Sequence, residues 1–185
     1  MTQTGQSPTL RRHLALIGLM GVGKTTIGRR LAKRVGAPFR DADEEVERAA
    51  GRSVAEIFAD FGEAAFRDGE RKVIARLLDE PQPMVIGLGG GAFLNAQTRT
   101  LIKHKAISIW LRADIDTLIE RVARKPGARP LVAENPREVM TRLDRERSPV
   151  YALADITVDT GDGSHEQSVD QVLAALMRRQ QGRVL

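Results

Sequence analysis

Two apolar periodicities alternate along the chain. Residues 13–19 (HLALIGL) form a short continuous apolar run ending in glycine, the pattern of a strand buried on both faces. Residues 18–26 are a glycine-rich turn. Ile27, Leu31 and Val35 then recur at every fourth position, which predicts a helix over 27–35. Phe39 and Arg40 close a short second strand ahead of Asp41-Ala42-Asp43. Residues 44–80 are helical in composition and punctuated by Gly51 and Gly62, with Ser53 as N-cap and Glu56 as its capping-box partner. Residues 83–88 (PMVIGL) read as a third strand, followed by Gly89-Gly90-Gly91, and residues 106–111 (AISIWL) as a fourth. Asp114 is placed to cap a helix that carries Leu118 and Val122. Pro126, Gly127, Pro130 and Pro136 make 125–136 a loop, and 137–147 return to helix. Residues 155–160 (DITVDT) are the last strand. Val169, Val172, Leu173, Leu176 and Met177 form one stripe of a closing amphipathic helix.

Strands alternating with helices predict an α/β fold, a five-stranded parallel sheet covered on both faces. The 185 residues suit one domain spanning 1–185, with a polar, frayed tail over 1–10. The absence of cysteine excludes a disulfide scaffold, thiolate-held zinc or iron–sulfur sites and a cysteine nucleophile. His13, His104 and His165 are scattered and carry no partner pattern. Lys and Arg total 29 against 24 Asp and Glu, a net charge of +5 that points weakly to anionic partners. One Trp, one Tyr and five Phe argue against a stacking platform for single-stranded nucleic acid. No apolar run approaches the roughly 18 residues that cross a bilayer. The expectation is therefore a cytoplasmic protein with small-molecule partners, no nucleic acid and no membrane.

Residues 18–25 (GLMGVGKT) fit G-x-x-x-x-G-K-[ST] between a strand and a helix. The glycines let backbone N–H groups converge on phosphate oxygens, and the following helix points its positive N-terminus at them. Lys24 can reach the β- and γ-phosphates, and the Thr25 hydroxyl can ligate Mg²⁺. Neither Asp-x-x-Gly nor Asn-Lys-x-Asp occurs, so the GTPase signature is missing. The third strand ends in three glycines rather than a metal-directed Asp. The carboxylates stand after the second strand instead, at Asp41 and Asp43, which an open α/β sheet puts at its ligand-binding carboxyl edge.

Taken together, GLMGVGKTTIGRRLA at the phosphate loop, DAD at 41–43, FRDGE at 66–70, GGG at 89–91, RPL at 129–131 and RSPVY followed by AD at 147–155 resemble shikimate kinase. The resemblance spans about residues 14–176. It implies a three-layer α/β/α P-loop kinase fold with strand order 2-3-1-4-5, a substrate-binding segment at about 44–66 and a lid at about 123–137. It implies that MgATP phosphorylates the 3-hydroxyl of shikimate on the way to chorismate and the aromatic amino acids, in a monomer. Lys24 would hold the transferring phosphoryl group, within an ATP site of Gly21, Val22, Gly23, Lys24, Thr25 and Thr26. Thr25 would ligate Mg²⁺, with Asp41 on the metal side through water. Asp43 would bind substrate hydroxyls and take the proton. Arg67 and Arg147 would clamp the carboxylate, and Gly89, Gly90 and Gly91 would offer backbone contacts. Arg129 would close over the phosphates, and Arg124 would lie against adenine. Val54, Phe58, Phe66 and Leu131 would wall the ring.

Each of these residues also has a plainer reading. Arg67 lies among Glu63, Asp68, Glu70, Arg71 and Lys72, where a solvated ion pair is the default. Asp41 or Asp43 can cap the following helix, with Asp43 the better placed. Arg129 can be a loop cation, and Arg147 can complement a helix dipole. The glycines can be a simple turn, and Trp110 structural. Another small-molecule or nucleotide kinase on this fold, or a non-catalytic ATP-binding module, stays open at this point.

Overall fold

The computed structural model describes residues 10–124, 135–161 and 163–181. Five parallel strands form one sheet in the order β2-β3-β1-β4-β5, as expected. They are β1 (His13–Ile17), β2 (Phe39–Asp41), β3 (Val85–Gly87), β4 (Ala106–Arg112) and β5 (Ile156–Asp159). The helices are α1 (Lys24–Arg34), α2 (Ala42–Ala50), α3 (Val54–Leu78), α4 (Ala96–Lys105), α5 (Ile115–Ala123), α6 (Pro136–Tyr151) and α7 (His165–Gln181). The right-handed crossover rule puts α1 and α7, which pack together, on one face, and α3 and α4 on the other.

β1 is buried along its whole length, because it lies between β3 and β4 with helices above and below. Its register pairs Leu16 with Gly87, and Gly87 pairs in turn with Asp41. The carboxyl ends of the three strands β1, β3 and β2 thus lie side by side. Leu14, Leu16, Ile27, Leu31, Ile74, Ile86, Ile109 and Leu111 are the centre of the core, each no more than 1% exposed.

Several local expectations change. The first strand stops at Ile17, because Gly18 begins the turn with φ +143. A Cβ at Gly18 would stand 2.4 Å from the Leu111 carbonyl oxygen, so only glycine lets β1 leave so close to β4. Helix α4 has no counterpart in the sequence reading. It buries only Thr98 and Ile102, too few apolar positions to show a period, and Asn95 starts it by accepting from Thr98 N–H. Asp114 occupies the N-cap position of α5 without a side-chain cap bond. The cap of α2 is Asp41, not Asp43: Asp41 Oδ1 accepts from Asp43 N–H at 3.1 Å. Met177 leaves the α7 stripe and is 51% exposed, while Val169, Val172 and Leu176 stay buried. Helix α6 runs on past Arg147 to Tyr151, through Pro149. The Ser53–Glu56 capping box forms as predicted. Most of the expected lid, with Arg129 and Leu131, lies outside the described residues.

Candidate active site

The phosphate loop joins β1 to α1 at the carboxyl edge of the sheet. Gly23 is the N-cap of α1 in a left-handed conformation, with no side-chain cap bond. The first N–H groups of α1, from Lys24 onward, therefore keep the anion-binding capacity of a helix N-terminus. Lys24 bends over the loop, where Nζ donates to the Gly18 and Leu19 carbonyl oxygens at 2.8 and 3.0 Å. Helix α5 backs the loop: a Cβ at Gly21 would stand 3.1 Å from the Leu118 carbonyl oxygen. Arg124 follows at the C-cap of α5, exposed and 3.7 Å from Glu120.

Thr25 Oγ1 donates a 2.9 Å hydrogen bond to Asp41 Oδ2. This joins the first turn of α1 to the end of β2 and sets a hydroxyl and a carboxylate oxygen at one point beside the loop. Among the described residues no group of three or more His, Asp or Glu side chains is placed to hold a metal. A cation held by a hydroxyl and one carboxylate must keep water and take substrate oxygens, the habit of Mg²⁺ rather than of a caged ion.

The three glycines after β3 bring the rest together. A Cβ at Gly89 would stand 2.7 Å from Asp43 Oδ1 and 2.6 Å from Glu70 Oε1. One at Gly90 would stand 2.7 Å from Arg147 Nη1, and one at Gly91 2.5 Å from Arg67 Nη2. Three successive backbone positions thus face four polar side chains: Asp43 of α2, Glu70 and Arg67 of α3, and Arg147 of α6. No residue with a Cβ fits this turn without displacing them. Tyr151 fixes the turn by donating from Oη to the Gly90 carbonyl oxygen. Its phenol is buried, which pushes its pKa above the ordinary value, so it stays a donor. Trp110 supports that ring with centroids 6.0 Å apart, the structural role the sequence suggested.

Arg67 forms the ion pairs that its neighbours suggested. Nη1 donates to Glu70 Oε2 at 2.8 Å and Nη2 lies 3.3 Å from Glu63 Oε1. Burial opposes its charge, and the two carboxylates outweigh burial, holding its pKa above the ordinary value. Its guanidinium lies 5.1 Å from the centroid of Phe66, which packs on Phe58 at 4.7 Å.

Glu70 is the residue that sequence reasoning missed. It is only 2% exposed, and Oε1 has no hydrogen-bond partner among the described residues. Burial pushes its carboxyl up; Arg67 pulls it down and Asp43 pushes it further up. Its i,i+3 spacing from Arg67 was a visible signal, but its burial was not. His165 was assigned nothing either. Its ring lies 3.3 Å from where a Gly23 Cβ would stand, so the start of α7 lines the phosphate loop.

This edge of the sheet therefore brings together a glycine-rich loop at a helix N-terminus, a hydroxyl paired with a carboxylate, two more carboxylates at a glycine turn and two guanidiniums beside it. The profile of the shikimate kinase family matches residues 20–177. The chain belongs to the shikimate kinase family. The shikimate kinase of Caulobacter vibrioides is 57% identical over 171 residues, 92% of this chain and 84% of that one. The Zymomonas mobilis shikimate kinase is 47% identical, over 96% of this chain and all of its own. Among solved structures, shikimate kinase from Acinetobacter baumannii in complex with shikimate superposes with a TM-score of 0.85 at 33% identity, covering 91% of this chain and 94% of that one. Family membership accounts for the sheet order. Among the described residues no helix is long and apolar enough to cross a membrane.

Proposed function

We propose that this chain transfers the γ-phosphoryl group of ATP to the 3-hydroxyl of shikimate. The observation that carries the reading is the glycine turn at 89–91, where Asp43, Arg147 and Arg67 converge across from Lys24 and Thr25. Shikimate is a small polyol with one carboxylate. Two guanidiniums are a planar, multidentate match for that carboxylate, and the glycine backbone leaves room for them beside Asp43. Phe66 and the partly buried Val54 and Phe58 supply apolar surface on the same side as Arg67.

Phosphoryl transfer needs alignment and charge neutralisation more than covalent help. Gly21, Val22, Gly23 and Thr26 shape the loop whose N–H groups hold the phosphates. Lys24 exchanges its carbonyl partners for phosphate oxygens and balances the charge that develops on the γ-phosphoryl oxygens. Thr25 and Asp41 fit Mg²⁺, Thr25 directly and Asp41 through water. Mg²⁺ held by these residues would supply positive charge against the phosphates. Asp43 accepts a hydrogen bond from the attacking hydroxyl, orients it, and takes its proton as the new P–O bond forms and the bond to ADP breaks. Arg67 and Arg147 hold the carboxylate at the far end of the ring. Glu70 holds Arg67 through a 2.8 Å hydrogen bond. Arg129 and Arg124 belong to the same reading through the family motif, as the lid cation over the phosphates and the adenine contact.

Product identification tests this. Mass spectrometry after incubation with MgATP and shikimate should reveal a monophosphate, and its phosphorus–proton coupling should fall on the carbon bearing the 3-oxygen. A phosphate on another oxygen, or none, would refute the assignment.

A further inference from the structure

Helix α3 (Val54–Leu78) consists of two helical limbs joined across a kink at Gly62, which has φ +79 and ψ 173. That conformation is essentially closed to residues with a Cβ. Space is not the reason for glycine here, since a Cβ at 62 would meet nothing within 4 Å. Only the backbone angle requires it.

The kink has a measurable consequence. In a straight helix Phe58 and Phe66, eight residues apart, would be separated by about 12 Å along the axis. Their ring centroids are 4.7 Å apart. The bend folds the outer limb, residues 54–61, back so that Phe58 rests on Phe66. The Phe66 ring carries the Arg67 guanidinium at 5.1 Å, and Arg67 stands against Gly91. A continuous set of contacts thus leads from the kink to the carboxylate clamp. The outer limb itself is held lightly: Ile57 is its only fully buried side chain, and Phe61 beside the kink is 59% exposed. Its other ties include Val54 N–H donating to Glu47 Oε1 at 2.9 Å, the Arg52–Asp60 ion pair and the Arg52 guanidinium 5.5 Å from the Phe61 ring centroid.

We propose that Gly62 is a positioning residue for the acceptor substrate: its positive-φ kink folds the outer limb of α3 so that Phe58 and Phe66 set Arg67 for the carboxylate. The inference rests on the shikimate reading above. An L-residue at 62 favours the helical conformation, straightens α3, and lifts Phe58 away from Phe66. The phosphate loop lies on other elements and keeps its geometry.

Three full-length proteins test this, assayed beside the unaltered chain. Gly62→Ala should raise KM for shikimate roughly 10-fold or more, with KM for ATP unchanged. Gly69→Ala, in ordinary helix of the same α3 and equally open, should change neither. D-alanine at 62, introduced by segment ligation, adds the same methyl but accepts a positive φ. It should restore the shikimate KM of the unaltered chain. The proposal is overturned if Gly62→Ala leaves the shikimate KM unchanged, raises both KM values alike, or does not fold. It is also overturned if D-alanine behaves like L-alanine. An unaltered chain that fails to phosphorylate shikimate refutes the functional reading instead, which separates the two failures.

Discussion

Thr25 Oγ1 and Asp41 Oδ2 are joined by a 2.9 Å hydrogen bond between residues 16 positions apart in sequence. Asp41 has a second task, since its other oxygen caps α2 through Asp43 N–H. One carboxylate therefore ties the metal side of the phosphate loop to the helix that carries Asp43. Substitution can separate the tasks. Asn caps a helix about as well as Asp, so Asp41→Asn should keep the melting temperature and raise the Mg²⁺ concentration needed for half-maximal rate several-fold. Asp41→Ala should in addition lose about 1 kcal/mol of stability. An unchanged Mg²⁺ titration of Asp41→Asn would remove Asp41 from the metal.

Arg67 is argued to bind substrate and Glu70 to hold Arg67. Arg67→Ala should raise KM for shikimate by roughly 10- to 100-fold, the scale of 1.5–3 kcal/mol for a hydrogen bond to a charged group. KM for ATP should stay put. Glu70→Gln keeps the volume and loses the anionic partner, so it should raise the same KM by a smaller factor. Steady-state kinetics with each substrate varied in turn decides this. A Glu70→Gln enzyme with unaltered shikimate KM would reduce Glu70 to packing.

Asp43 is one of two carboxylates at the glycine turn; the other, Glu70, holds Arg67, while Asp41 is engaged with Thr25. Asp43→Asn should lower kcat by roughly 10²-fold or more, within the range of general-base catalysis, and leave ATP binding nearly intact. An unchanged kcat would take the base role away from it.

The fold was largely legible in the sequence, because a buried parallel strand and an amphipathic helix each write their period into few residues. The exceptions have physical causes. Helix α4 buries two side chains and so has no visible stripe. The capping role fell to Asp41 rather than Asp43 because two acidic residues two apart offer the same signal, and only the end of β2 decides which one is extended. The phosphate loop could be read from its motif alone. The pairing of Gly89, Gly90 and Gly91 with Asp43, Arg147 and Arg67 could not, because it is made by elements tens of residues apart. The resemblance supplied those names; the structure adds Glu70, Tyr151 and His165 to their surroundings.

His13 gives a pH prediction away from the site. It is 6% exposed, and its Nδ1 accepts from Met84 N–H at 3.3 Å. Burial lowers its pKa below the ordinary value, against a smaller opposing pull from Glu80. The unfolded chain then binds more protons than the folded one as pH falls. The stabilisation is present above the ordinary histidine value of about 6.5 and is lost below it. Melting temperatures at pH 7.5 and 5.5 should therefore differ more for the unaltered chain than for His13→Asn, whose Oδ1 can keep the Met84 contact. Equal differences would contradict the assignment.

The most direct test of the central claim is ADP release coupled to a reporter, with MgATP and each of shikimate, gluconate and AMP as acceptor. The account predicts that shikimate alone accelerates release. Acceleration by gluconate or AMP with none by shikimate would contradict it.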